Sequence, residues 1–429
     1  MSKKLIQSAE GEWWASRIYY LQMRKNLSRE DVRTAWTLLW DEWSKLDVRF
    51  LKTRMLPEKF KMALAFRKVN PLAFMIAPTF LVGLTIKGMS VDELSGLVDS
   101  FLDHGWFREY ERHELPDPNT VYSNGFGGDG IRTINVSTSA MIIASAAGVP
   151  CYKMGSRTYF SHSGSHNFLD LIGVKASTNP EHAVQTLKKA GLAYIDGVAT
   201  ADGPTQGIGT GLSMMPGANK LMKAMSYPFR YPILCLNPLK PKISIRGVST
   251  LETEMPAEVL KTYYPYSKRF EVVSGMSSEG AIIDEASNVG PTKITEFRDG
   301  ELRTYQTNPE DWGVKQAHPR DIHCGDPWIA AVKTVAILRG FCNDAHKDLL
   351  LINAGHFLYV AGKANTRKEG TEMARAAVDD GRALEKMRLW VEASEGQMGV
   401  FELIVAAAGR EDSAQQMQHP LKLGTSADY

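Results

Sequence analysis

The sequence predicts an α/β fold with a helical domain towards its amino terminus. Three observations carry this. Two capping-box starts, at Ser28 and Ser90, each open a stretch with apolar residues at helical spacing. From about residue 116 short β-branched segments alternate with helical ones, and a long helical region returns from "DPWIAAVKTVAILRG" onward. At 429 residues the chain exceeds the size at which a single core stops growing, so two domains are expected.

Taken in order, Ser28 precedes "REDVRTAWTLLWDEW" with Asp31 three residues on, and Ser90 precedes "VDELSGLVDSFLDHG" with Glu93 three on. In each, hydroxyl and carboxylate satisfy the unpaired amides of a first helical turn. The apolar run between them, residues 71–86, contains Pro78 and Gly83 and is shorter than the roughly 20 residues of a membrane span, so it reads as a buried helix pair or a kinked helix. "LPDPNTVYSNGFGGDG" reads as a turn-rich linker. After it come "RTINV" as a strand, "TSAMIIASAAG" as a helix, "VPCYKMG" as a strand and "NFLDLIG" as a helix. The later segments "YPILCLN", "RFEVVSG" and "KITEFRDGELRTYQ" continue the mixed pattern, and the helical region that follows runs through "RALEKMRLWVEAS". The tail after 396 has helical character before a polar end.

Bulk properties exclude several classes. Hydrophobic residues at 44% and charged residues at 23% describe an ordinary globular chain, and a net charge of +2 gives no general polyanion signature, so any anion site is local. No nucleic-acid partner is expected on that ground. The four cysteines show no CxxC spacing, which fits a reducing compartment. The amino terminus lacks a secretory core, and a cytoplasmic location is expected by elimination. The aromatic stretch "WWASRIYYLQMRK" reads as helix packing or dimer contact rather than nucleic-acid stacking.

Chemistry concentrates in three places. Gly125, Gly127, Gly128 and Gly130 let backbone amides approach a ligand beside Asp129, and Asn135, Ser137 and Thr138 stand at a helix start. Free amides and hydroxyls at such a start bind phosphate oxygens. In residues 153–173 Lys153 and Arg157 flank a glycine turn, and the loop carrying Ser163, Gly164 and Ser165 runs into a second helix start. The pair of starts encloses a polyphosphate from two sides. Downstream, the adjacent carboxylates Asp284 and Glu285 suit Mg²⁺, which takes oxygen ligands and bridges carboxylate to substrate phosphate. "HPRDIHC" places His318, His323 and Cys324 together, but no partner pattern completes a zinc site.

These motifs, with "LNPL", "GVST", "PEDWG", "CGDPWIAA" and "LLLINAGHFLYVAGKA", stand in an order and spacing that resembles anthranilate phosphoribosyltransferase and its relatives. The resemblance covers roughly residues 28–395. It implies a small α-helical bundle domain (28–115, with a later segment around 202–228) packed on a larger mixed-sheet α/β domain (116–395), with the active site in the cleft. Extensions at 1–27 and 396–429 lie outside it. It further implies phosphoribosyl pyrophosphate as donor, a small aromatic acceptor, Mg²⁺ as cofactor and a homodimer. Gly125, Gly127, Gly128, Asp129, Asn135, Ser137, Thr138, Lys153, Ser163, Gly164 and Ser165 would hold the donor. Ser137, Asp284 and Glu285 would carry the metal, and Lys153, Asp129 and Arg157 would act on the departing diphosphate.

Departures from the family pattern gather on the acceptor side. Phe126 replaces the threonine of GTGGD, and in KMGSR Met154 and Ser156 replace the histidine and asparagine of KHGNR. The arginine that clamps anthranilate's carboxylate falls on Ala224, with Lys223 beside it. Losing such a clamp costs about 2 to 5 kcal/mol of selectivity, so an acceptor other than anthranilate is expected, with Met154, Ser156, His166, Lys223 and Arg230 as the residues that would read it. Arg132 and His162 are further additions. The alternatives are a nucleoside phosphorylase using the same cradle, and a non-catalytic nucleic-acid-binding relative.

Overall fold

The computed structural model describes residues 9–45, 47, 57, 60, 64–70, 73–104, 113–127, 129–155, 164–197 and 227–409. Among the described residues four helices come first: α1 (Ala9–Gln22), α2 (Arg29–Ser44), α3 (Ala73–Lys87) and α4 (Val91–Asp103). The Ser90 capping box forms in full, and at Ser28 the hydroxyl caps the helix. Ser28 Oγ accepts from the Asp31 amide at 3.1 Å, and the Ser90 amide donates to Glu93 at 2.8 Å while Ser90 Oγ accepts from the Glu93 amide at 3.3 Å. Glu93 is buried and also accepts from the Leu27 amide and from Lys87, whose ammonium lies 2.7 Å away. The residue 71–86 run supplies one helix, α3, with Pro78 inside it. The stretch "WWASR" belongs to α1, where Trp14 is buried edge-on to Phe80 at 5.7 Å, and Gly83 leaves room for Leu21 to approach α3. Trp36 stacks on Phe101 at 5.9 Å between α2 and α4.

The remainder is one mixed sheet with helices around it. Its strands are β1 (Val121–Gly125), β2 (Cys151–Gly155), β3 (Leu192–Asp196), β4 (Ile243–Gly247), β5 (Arg269–Met276), β6 (Ile282–Ile283), β7 (Thr292–Arg298) and β8 (Glu301–Thr307). The order is β3-β2-β1-β4-β5-β7-β8 with β6 beside β5; β3 through β5 run parallel, and β6, β7 and β8 are antiparallel. Interleaved are α5 (Val136–Ala146), α6 (Ser165–Ile172), α7 (Pro180–Ala190), α8 (Tyr227–Leu234) and α9 (Glu254–Tyr263), followed by α10 (Pro327–Leu338), α11 (Ala345–Val360), α12 (Arg367–Asp379), α13 (Arg382–Ala393) and α14 (Met398–Ala407). Three sequence expectations are corrected. The central strand β1 lies in the stretch read as a linker, and "RTINV" is no strand but the loop entering α5 with that helix's first residue, its Ile134 buried in the main core beside Ile131 just upstream. "YPILCLN" gives the end of α8 and a loop, while β4 follows it.

Three buried clusters cover the two faces of the sheet, one of them joining Phe270 and Val272 of β5 to α4, α8 and α9. Tyr122, Tyr152 and Met154 pack with the α1–α4 side chains, whereas Val121, Cys151 and Tyr194 pack with α5 and α11. Helix α11 is buried around nearly its whole circumference, as an apolar helix at the centre of a large domain must be. Phe401 and Ile404 of α14 join that same core. The chain runs β1, β2, β3 to one side and then resumes at β4 on the other side of β1. That reversal leaves a crevice at the carboxyl ends of β1 and β4, the place where open parallel sheets bind ligands.

Candidate active site

The crevice is floored by glycine because other residues do not fit. A Cβ on Gly125 would strike the Asp284 carboxylate, and one on Gly247 would overlap the Asp284 backbone oxygen. The two strand ends therefore let the chain after β6 pass directly over the sheet. Gly127, at φ +61, turns the loop after β1 back towards it. Its amide donates to Asp284 Oδ2 at 2.5 Å, and its carbonyl accepts from Arg230 of α8 at 2.9 Å and from Ser249 at 3.1 Å. Phe126 lies edge-on to Tyr231 of α8 at 4.6 Å, so the side chain that departs from the family pattern ties the loop to α8.

Asp129 is brought to the same place. Its carboxylate accepts from the Asp284 amide at 2.8 Å, and ligand oxygens of Asp129, Asp284 and Glu285 lie within 4.8 Å of one another. Among the described residues this is the one group of three or more metal-capable side chains. Burial, then the charge of Asp284, pushes the Asp129 and Glu285 carboxyls well above the usual carboxylate range. Lys153 faces the cluster: burial lowers its ammonium's pKa, against the pull of Glu285, Asp284 and Asp129, and its Nζ bonds Ser137 Oγ. Three crowded acids with one buried lysine are the donor set that a hard divalent cation neutralises, so the residues present fit Mg²⁺.

The amino end of α5 adds groups still wanting partners. Asn135 is its cap residue without a side-chain capping bond, and Asn135 Oδ1 and Thr138 Oγ1 are buried with no hydrogen bond. Around them stand the first amides of the helix, which favour an anion. The structure thus gathers Gly125, Gly127, Asp129, Asn135, Ser137, Thr138, Lys153, Asp284 and Glu285 into one crevice. Strand alternation separates the neighbours Lys153 and Met154: the first faces α5, the second is buried on the helical side with Tyr122 and Ile195. Gly164 and Ser165 start α6, and buried His166 places Nδ1 3.3 Å from Asp196 at the end of β3. Gly128, Ser156, Arg157, His162, Ser163, Lys223 and Ala224 lie outside the described residues. His318 caps a short 3₁₀ turn, and among the described residues no metal group forms with His323 or Cys324.

Sequence reading missed two things here. It placed Asp129 among the diphosphate-binding and catalytic residues but not with the acid pair, and it gave no role to Asn353, whose carboxamide lies behind that pair.

A profile of the "Glycosyl transferase family, a/b domain" matches residues 117–204 and 231–384. An anthranilate phosphoribosyltransferase of Shewanella sp. (strain W3-18-1) is 33% identical over 308 residues, covering 71% of this chain and 83% of that one. The chain belongs to the anthranilate phosphoribosyltransferase-like glycosyltransferase family. It is an enzyme of the phosphoribosyltransferase type. Solved relatives share the fold. The anthranilate phosphoribosyltransferase of Thermus thermophilus superposes with a TM-score of 0.65 at 21% identity, over 88% of this chain and 99% of that one. The Saccharomyces cerevisiae enzyme, in complex with PRPP and Mg, gives 0.67 at 20% identity, over 91% and 99%. Among the described residues no helix is long and apolar enough to cross a membrane.

Proposed function

We propose that this enzyme transfers a phosphoribosyl group from phosphoribosyl pyrophosphate (PRPP), with Mg²⁺, to an aromatic or heteroaromatic acceptor other than anthranilate. The observation that carries the reading is the convergence of Asp129, Asp284 and Glu285 beside Lys153 and the amino end of α5. In the reaction the bond from C1 of ribose to the pyrophosphate oxygen breaks, and pyrophosphate leaves with the bonding pair. The acceptor atom forms the new bond to C1 and loses its proton to solvent. Asp129, Asp284 and Glu285 would hold Mg²⁺, which would supply charge neutralisation to the departing diphosphate. Lys153 and the α5 amides stabilise the same developing charge, while Gly127 and Gly130 hold the loop closed over the acid pair, the Gly130 amide donating to Ile282 O at 2.8 Å. No strong nucleophile is required of the protein.

The acceptor assignment rests on the family's anthranilate clamp falling on Ala224 and on Met154 and Ser156 in the acceptor motif. A homodimer through the helical region accords with Tyr19, Tyr20 and Met23, which are exposed on or just after α1. The test is pyrophosphate release from PRPP and Mg²⁺ across a panel of aromatic amines, heteroaromatic bases and anthranilate. Turnover with a panel member and little with anthranilate is expected; efficient turnover of anthranilate alone would overturn the acceptor assignment, and none with any member the transfer itself.

A further inference from the structure

We propose that Asn353 of α11 is a positioning residue for the acid cluster, holding Glu285 and Asp284 where they can share a cation. The proposal deepens the functional reading above and rests on it for the identity of the cation. Asn353 Oδ1 accepts from the Ala286 amide at 3.0 Å, and Nδ2 donates to the Ala286 carbonyl at 2.9 Å. One carboxamide thus bonds both backbone groups of the residue next to Glu285, as a neighbouring strand would. A second Nδ2 bond, to Leu349 O at 2.9 Å, ties the carboxamide to its own helix, so its two donors are spent and the side chain has one orientation. Asn353 is buried, where a hydrogen bond is stronger than one in water.

The surroundings make this clamp consequential. Two bonds to one residue fix both peptide planes that flank Ala286, and the first of those planes carries the Glu285 carbonyl. That carbonyl passes so close over Gly275 that a Cβ there would strike it. Beyond Ala286 the chain stays pinned: Ser287 Oγ donates to Met276 O at 2.7 Å, and Asn288 donates to Ala345 O, at the start of α11, at 2.8 Å. One turn along α11, His356 meets Glu271 of β5 at 2.8 Å, and Glu271 also holds Arg367 at 2.8 Å. This buried charge set fixes the rotation of α11 against the sheet. Repulsion among three carboxylates pushes them apart when no cation is bound. Asn353 resists that push through the backbone rather than by touching the acids, which is why it is a positioning residue and not a catalytic one.

The test uses the full chain carrying Asn353→Asp or Asn353→Leu. The first keeps volume and the acceptor but sets an oxygen against the Ala286 carbonyl; the second keeps bulk without either bond. Leu358→Ala, a core truncation on the same helix, is the control for a merely structural loss. Two quantities are read: the Mg²⁺ concentration that half-saturates PRPP binding, and hydrogen exchange of the 284–287 amides with no ligand present. Half-saturation is expected to rise about 10- to 100-fold in both Asn353 variants, with faster exchange at 284–287, and to stay unchanged in Leu358→Ala. Wherever the wild type binds Mg²⁺, an unaltered Mg²⁺ requirement in a folded Asn353→Asp chain overturns the proposal. Should the wild type take up no Mg²⁺ with PRPP, the functional reading fails instead. Exchange then decides: faster exchange upholds Asn353 as the holder of the acid segment, and unchanged exchange overturns it.

Discussion

Neutralising Glu285 should make the ligand-free protein more stable while damaging its cation site. The ligand oxygens of Asp129, Asp284 and Glu285 lie within 4.8 Å. Two full charges at about that distance repel by about 3–4 kcal/mol at an effective dielectric near 20. The alternative to repulsion is a proton, and keeping an ordinary glutamate of pKa about 4.3 protonated at pH 7 costs about 3.7 kcal/mol. The two limits agree, and Lys153 offsets part of either, so Glu285→Gln should gain about 1–3 kcal/mol at pH 7. The sign follows from linkage. The Glu285 carboxyl is raised in the folded state by burial and by Asp284 and Asp129, so its contribution is fully present below its unfolded pKa and is lost as pH rises through the folded value. The stabilisation by Glu285→Gln should therefore be near zero at pH 4 and grow towards neutrality. Mg²⁺ with PRPP should stabilise the wild type more than the variant. Urea denaturation at pH 4 and pH 7 reads all of this, and a variant less stable than wild type at pH 7 would refute the crowded-acid reasoning.

Three further outcomes are expected. Lys153→Gln should weaken PRPP binding by about 30-fold or more, as truncating a buried cation facing a polyanion does, and calorimetry showing less than threefold would contradict its assigned role. Gly247→Ala sets a Cβ against backbone that cannot yield, so a loss of at least about 1–3 kcal/mol in denaturant midpoint experiments should accompany a loss of PRPP affinity. Lys87→Met leaves Glu93 buried without its cation and should cost about 3–5 kcal/mol in urea, with PRPP affinity retained in the folded fraction.

What the sequence disclosed was local chemistry. The hydroxyl-capped helix starts at Ser28 and Ser90, the strands β2 and β5, the β7–β8 hairpin, the glycine loop with its hydroxyl-bearing helix start, and the acid pair all follow from residues close together in the chain. Strand β1 escaped because "VYSNG" carries Ser123 and Asn124 where a buried strand ordinarily shows apolar or β-branched residues; both are buried at the crevice wall. "RTINV" misled for the converse reason, since Ile134 serves the core from a loop and Val136 from the first position of α5. The third carboxylate and the clamp were out of reach for a different cause. Asp129 and Asp284 are 155 residues apart, and Asn353 and Ala286 are 67 apart. Only the reversal of strand order between β1 and β4, with α11 packed beneath, makes them neighbours.

Titration calorimetry with PRPP, in the presence and absence of Mg²⁺, on the wild type and on the Asp284→Ala, Glu285→Ala double variant reaches the central claim most directly. PRPP should bind the wild type with an affinity that Mg²⁺ increases at least tenfold, and the double variant should lose that increment while remaining folded. PRPP binding that ignores Mg²⁺, or that survives loss of both acids unchanged, would contradict the account.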